Sequence, residues 1–213
     1  MSAPGPREVS AVIFDLDRTL VDLQSYTDYA AALRDLTALV GEQPGADVPE
    51  ADWDTPTLST MAILVSLTGD PRWHDASSAV AAHERAAIGQ SLAMPGLESL
   101  EVALNGLPRA VVTLLPVDVA REVLGHHGVD IEVIVGRDPD IPAKPSGAGL
   151  VVAATRLGVP VSTTVMIGDS SWDHAAAVDV GAAFIGVPVS TSAFGPDVPV
   201  ADSLLAAVAA VRR

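Results

Sequence analysis

Val9-Ser10-Ala11-Val12-Ile13-Phe14-Asp15-Leu16-Asp17-Arg18-Thr19-Leu20-Val21-Asp22 is the stretch on which the fold turns. It opens with a short apolar run rich in β-branched side chains and passes abruptly into acids. A run that is apolar on both faces, without alternation, is the pattern of a buried strand in a parallel sheet. Residues 110–115, 131–135, 164–167 and 182–187 share that character. Helical patterns stand between and after them, over residues 97–105, 117–126, 147–157, 172–180 and 203–211. Gly106, Gly128, Gly158 and Gly181 fall just past predicted helix ends, where a left-handed residue is commonly needed. Strand and helix alternating in this way predict an α/β fold on a doubly wound parallel sheet, Rossmann-like in its crossovers.

One stretch breaks the alternation. Residues 23–93 contain no convincing strand, and their helical patterns cover residues 25–40, 56–67 and 75–92, with the acidic loop GEQPGADVPEADWD between the first two. Asp54 or Thr55 before Pro56 is a plausible N-cap. The expected organisation is therefore a core of residues 1–22 and 94–213, interrupted by an all-helical insertion of residues 23–93. Met61, Ile63, Leu64 and Leu67 read as the core of that insertion.

Composition excludes several functions. The chain has 213 residues, long enough to bury a real core, and its 27 acidic residues against 12 lysines and arginines give a net charge of −15. A field of that sign repels nucleic-acid backbones and anionic membrane surfaces. No apolar stretch approaches the roughly 18–20 residues of a transmembrane helix, and MSAPGPREVS has neither a basic start nor an apolar h-region, so a cytoplasmic protein is expected. Without cysteine, the chemistry must come from oxygen and nitrogen groups.

The acids at strand ends are the place to look, because ligands of open α/β sheets bind beyond the carboxyl ends of the strands. Asp15 there can attack an electrophile, and Asp17 can give or take a proton if the two environments separate their pKa values. Gly168-Asp169-Ser170-Ser171-Trp172-Asp173 supplies two more acids, Asp169 at the end of another strand, where it could also cap a helix, and Asp173 about a turn later. Three or four carboxylates in one crevice call for a hard cation, and magnesium suits them. Lys144 is the only lysine beside eleven arginines, in the stiff loop Ile141-Pro142-Ala143-Lys144-Pro145-Ser146. Its ammonium could hold a carboxylate ionised and neutralise a phosphoryl oxygen. Thr113, at the end of the second strand, offers a hydroxyl for another oxygen. The five histidines have no clear catalytic partner, and Trp73 and Trp172 read as packing residues, while Trp53 could cover a substrate.

Together these segments resemble the haloacid-dehalogenase superfamily over nearly the whole chain. FDLDRTLVD is similar to its first motif, Thr113 to the second, KPS at Lys144 to the third and IGDSSWD to the fourth, in the family's order. The helical insertion resembles the cap of the phosphoglycolate-phosphatase-like branch. The resemblance implies a magnesium-dependent hydrolase of a small phosphorylated molecule, with Asp15 as nucleophile, Asp17 as general acid and base, and Thr113 and Lys144 on the phosphate. It places Asp15, Asp17 and Asp169 at Mg2+, with Asp173 at the ion or orienting its ligands. Two positions depart from the pattern: Arg18 stands where many relatives have glycine, and Leu114 where an asparagine often follows the threonine. The alternatives are a phosphosugar mutase of the same fold and a non-catalytic phosphometabolite-binding protein. Because residues 23–93 carry ten acids against Arg34, Arg72 and Arg85, highly anionic substrates are expected to be disfavoured.

Overall fold

Ala11, Val12, Ile13 and Phe14 are wholly enclosed and form β1 (Ala11–Phe14), the middle strand of a five-stranded parallel sheet. The computed structural model describes residues 9–187 and 194–211. Most of the N-terminal segment read as lacking a targeting signal, residues 1–8, lies outside the described residues. β4 (Arg109–Val112) and β6 (Thr164–Gly168) flank β1, with β5 (Val133–Val135) beyond β4 and β7 (Ala183–Gly186) beyond β6. Ile13 is paired with Ala110 on one side and Met166 on the other, so β1, β4 and β6 end near one another. One face packs with Phe14, Val111 and Ile167, and the other with Ile13, Met166 and Leu150. This is the doubly wound arrangement expected of strands that are apolar on both sides.

Helices α5 (Val117–His126), α6 (Ala148–Leu157), α7 (Ser171–Val180) and α8 (Leu204–Val211) follow the periodic segments closely. The pattern over residues 97–105 is instead a 3-10 turn, Leu97–Ser99, leading into the short α4 (Leu100–Leu104). Gly106, Gly128, Gly158 and Gly181 all have positive φ.

Between Asp22 and Leu92 the regular structure is helical: α1 (Tyr29–Val40), α2 (Thr55–Ser66) and α3 (Trp73–Ala87), with 3-10 turns at either end. Asp28 caps α1 by accepting the Ala31 N–H, so the helix starts later than its apolar periodicity suggests. Asp54 caps α2 through the Thr57 N–H at 2.8 Å. Tyr29, Leu36, Met61, Leu64 and Trp73 share one apolar cluster, into which Trp172 of α7 also packs. At the mouth of the insertion, β2 (Val21–Asp22) pairs antiparallel with β3 (Leu92–Ala93). The sequence reading saw no strand there, because two residues carry no periodicity.

Candidate active site

β1 delivers Asp15 to the carboxyl edge of the sheet, buried to 5% exposure, and β6 delivers Asp169 beside it to the same depth. Asp173 reaches the group from the first turn of α7. Oxygens of Asp15, Asp169 and Asp173 lie within 4.8 Å of one another. The close approach depends on Gly168: a Cβ there would sit 2.5 Å from the Asp173 carboxyl carbon. Ser170, not Asp169, is the N-cap of α7, and it forms a capping box with Asp173. Asp173 Oδ2 accepts the Ser170 N–H at 3.0 Å and its hydroxyl at 2.6 Å.

Lys144 closes the cluster. Its ammonium donates to Asp15 Oδ1 at 2.5 Å and to Asp173 Oδ1 at 2.6 Å, across 129 and 29 residues of chain. Burial alone would lower the lysine pKa, but the two carboxylates and their hydrogen bonds hold it above the usual range. Asp173 thus has both oxygens engaged, which leaves Asp15 and Asp169 as the less encumbered carboxylates.

Asp17 stands apart from the converging three. Its Oδ1 accepts the backbone N–H groups of Leu23 and Gln24, both at 2.9 Å, where the chain leaves for the helical insertion. Burial pushes its carboxyl up to about 7, partly offset by those two donors. Burial, opposed by Lys144 and reinforced by Asp173, likewise pushes Asp15 up to about 7. Asp169 is raised by burial and then by its acidic neighbours, with Arg18 pulling the other way.

The charge balance decides what the cluster can hold. With Asp15, Asp17, Asp169 and Asp173 ionised, only Lys144 and Arg18 oppose them among the described residues, and a deficit of two positive charges is the charge of one divalent cation. Hard carboxylate oxygens with partial freedom fit magnesium, which takes one or two carboxylates and completes its shell with water and phosphate oxygens.

Thr113 directly follows β4 at 4% exposure, its hydroxyl oxygen accepting the Leu115 N–H at 3.2 Å, so its own proton is free for a ligand oxygen. Leu114 lines the cavity and packs against the cluster of the insertion, so this departure replaces a polar group with apolar contact between the two parts. Arg18 keeps a left-handed backbone, φ 61°, of the kind glycine adopts at no cost. Its guanidinium lies 3.5 Å from Asp169 Oδ2 and donates to the Asp52 carbonyl at 2.8 Å. Ser171 donates to the Glu50 carbonyl and Trp172 Nε1 to the Pro49 carbonyl at 2.8 Å. The acidic loop is therefore held over the site by three of its carbonyls.

A cavity lies between the sheet edge and the insertion. Asp15, Asp17, Asp169, Thr113 and Lys144 line its floor, and Gln24, Tyr29, Trp53, Thr57 and Met61 its roof. Trp53 lines the cavity, its ring tilted by 51° against Trp172 with centroids 5.0 Å apart. The sequence reading missed Gln24, Tyr29 and Thr57, and also Arg137, which sits just past β5 and donates to both oxygens of fully buried Glu84 on α3 at 2.8 and 2.9 Å. The legible signal was Ser77 and Glu84, two turns apart on an otherwise apolar face of α3; both accept from Arg137.

Known proteins bear on this geometry. A phosphoglycolate phosphatase from Colwellia psychrerythraea is 31% identical over 190 residues, covering 80% of this chain and 80% of the relative. A hydrolase from Pseudomonas syringae shares the fold with a TM-score of 0.72 at 23% identity, covering 95% of this chain and 98% of the other. CbbY from Rhodobacter sphaeroides, solved in complex with phosphate, gives 0.67 at 20% identity, covering 92% and 95%. The sequence profile of haloacid dehalogenase-like hydrolases matches residues 9–181, a span that takes in β1 with its acids, the Lys144 loop and the Asp169 to Asp173 turn. On that match, the chain belongs to the haloacid dehalogenase-like hydrolases.

Proposed function

We propose that the protein is a magnesium-dependent phosphatase that hydrolyses a small-molecule phosphomonoester through an aspartyl-phosphate on Asp15. In this reading residues 1–22 and 94–213 act as the core, residues 23–93 as its cap, and the reaction is cytoplasmic. The observation that carries it is the Lys144 ammonium 2.5 Å from Asp15 at the carboxyl edge of the sheet, with Asp17 two residues on and outside the carboxylate cluster. The 31% identical relative, a phosphoglycolate phosphatase, supports the same reaction class.

Magnesium would be held by Asp15 and Asp169, with Asp173 fixing the arrangement, and when bound it would supply positive charge to the phosphoryl oxygens, while Asp17, whose side chain lies outside the cluster, would keep its carboxyl for the proton. Lys144 keeps Asp15 oriented and adds a second positive charge there. Thr113 donates its hydroxyl proton to a phosphoryl oxygen. Asp15 attacks phosphorus as the bond to the alcohol oxygen breaks, and Asp17 gives its proton to that oxygen. Water then attacks the phosphorus of the acyl phosphate; Asp17 takes its proton, and the Asp15 carboxylate leaves. A carboxyl pushed up to about 7 by burial is poised for both halves near neutral pH. The test is phosphate release from p-nitrophenyl phosphate. Asp15→Asn, or chelator on the wild type, is expected to lower kcat by orders of magnitude; wild-type rates in either case would overturn the proposal.

A further inference from the structure

Among the described residues, the roof of the cavity carries no cation. Of the three arginines in residues 23–93, Arg72 is paired with Asp70, Arg85 with Asp118 and Glu122 of α5, and Arg34 is exposed and does not line the cavity. The two arginines that approach from the core are also committed: Arg18 to Asp52 and Asp169, Arg137 to Glu84, Ser77 and the Leu114 carbonyl. A carboxylate or second phosphate on the leaving group would meet no free positive charge there.

The roof does carry an unused hydroxyl. Thr57, in the first turn of α2, lines the cavity at 2% exposure, and its Oγ1 has no hydrogen-bond partner among the described residues. Buried hydroxyls are ordinarily paired, and one left open beside a ligand cavity is placed to pair with a ligand. Gln24 lines the same roof, half-buried, with its side-chain amide unbonded among the described residues, while Met61 and Trp53 supply apolar walls.

Resting on the phosphatase reading, we infer that this enzyme selects monophosphates of small, uncharged, polyhydroxylated alcohols, and that Thr57 is the residue that reads a hydroxyl of the leaving group. One side-chain hydroxyl can donate to and accept from such a group. A site built around it rejects both the deoxy analogue, which leaves Thr57 unpaired, and the carboxylate analogue, which adds an uncompensated charge. Substrates resembling phosphoglycolate are disfavoured on this account, although a phosphoglycolate phosphatase is 31% identical.

The test compares kcat/KM for glycerol and erythritol phosphates with propyl and butyl phosphates and with phosphoglycerate and phosphoerythronate. In the wild type the polyol esters are expected to exceed both other groups by about tenfold or more, the worth of a hydrogen bond to a buried partner. Thr57→Val should collapse the polyol to alkyl ratio towards one, chiefly through KM. Thr57→Ser should retain it, and so should Thr60→Val, since Thr60 is equally buried and unpartnered but does not line the cavity. A preference for the carboxylates, or an unchanged ratio in Thr57→Val, would overturn the inference. If no ester is hydrolysed, p-nitrophenyl phosphate included, the phosphatase reading fails. Calorimetric binding of the same six esters to the wild-type protein then decides the selectivity: tighter polyol binding sustains it, and equal or reversed affinities overturn it.

Discussion

Asp15 and Asp17 are two residues apart and differ in what surrounds them, and that difference divides the chemistry. The Asp15 carboxylate is bound to an ammonium and faces other acids; Asp17 is bound to two backbone donors at the entrance to the insertion. Held at about 7, Asp17 can protonate an alkoxide, which needs the proton as the ester bond breaks, more than a phenolate does. General acid catalysis contributes roughly 10²–10⁴-fold. In single-turnover phosphoryl transfer Asp17→Asn is therefore expected to lose far more rate with an alkyl phosphate than with p-nitrophenyl phosphate. Equal losses with both esters would remove the leaving-group role. Arg18 belongs to the same scale: a non-glycine residue with positive φ, its side chain ties the Asp169 carboxylate to the acidic loop.

At the scale of elements, the helical insertion is clamped to the sheet by a buried fork. Arg137 follows β5, and its two terminal nitrogens meet both oxygens of Glu84 on α3, to which Tyr29 of α1 also donates at 3.3 Å. Removing one member of such a pair leaves a buried charge unmatched and costs about 3–5 kcal/mol, whereas replacing both by apolar residues costs far less. Arg137→Met is expected to lose stability on that scale in urea unfolding, and Arg137→Met with Glu84→Leu to regain most of it. A double variant as unstable as the sum of two single losses would contradict the clamp. The same pair marks the limit of what was legible beforehand. The strands, most helices and the acids at the strand ends follow from local periodicity and punctuation, which one chain displays. That the Lys144 ammonium meets a carboxylate is signalled by its solitude among arginines, although nothing local says that the partner is Asp15, 129 residues away. Arg137 to Glu84 spans 53 residues between two unrelated elements, so the polar Ser77 and Glu84 on the apolar face of α3 announce a buried partner without naming it, and Thr57 matters only because a cavity opens beside it, which no local pattern betrays.

At the scale of the whole molecule, a net charge of −15 and a crowd of buried acids couple stability to protons and to magnesium. Asp17 at about 7 and Asp169, well above 3.8, both bind protons more tightly in the folded chain than in the unfolded one. The stability this contributes is fully present below the unfolded value of 3.8 and lost as pH rises through the folded one. In chelator the Tm should fall as pH rises from about 4 through about 7, and the Tm gained on adding magnesium should grow over the same range, since the ion competes with protons for the carboxylates. A magnesium gain independent of pH would contradict this coupling. The most direct test of the account is to find the phosphoryl group on the protein. Asp17→Asn, slowed in the step that releases phosphate, is mixed with p-nitrophenyl phosphate and magnesium, quenched in acid and digested for mass spectrometry. The account predicts one added phosphoryl group on the peptide that carries Asp15, absent in Asp15→Asn. A phosphoryl group on another residue, or phosphate release at the wild-type rate from Asp15→Asn, would contradict it.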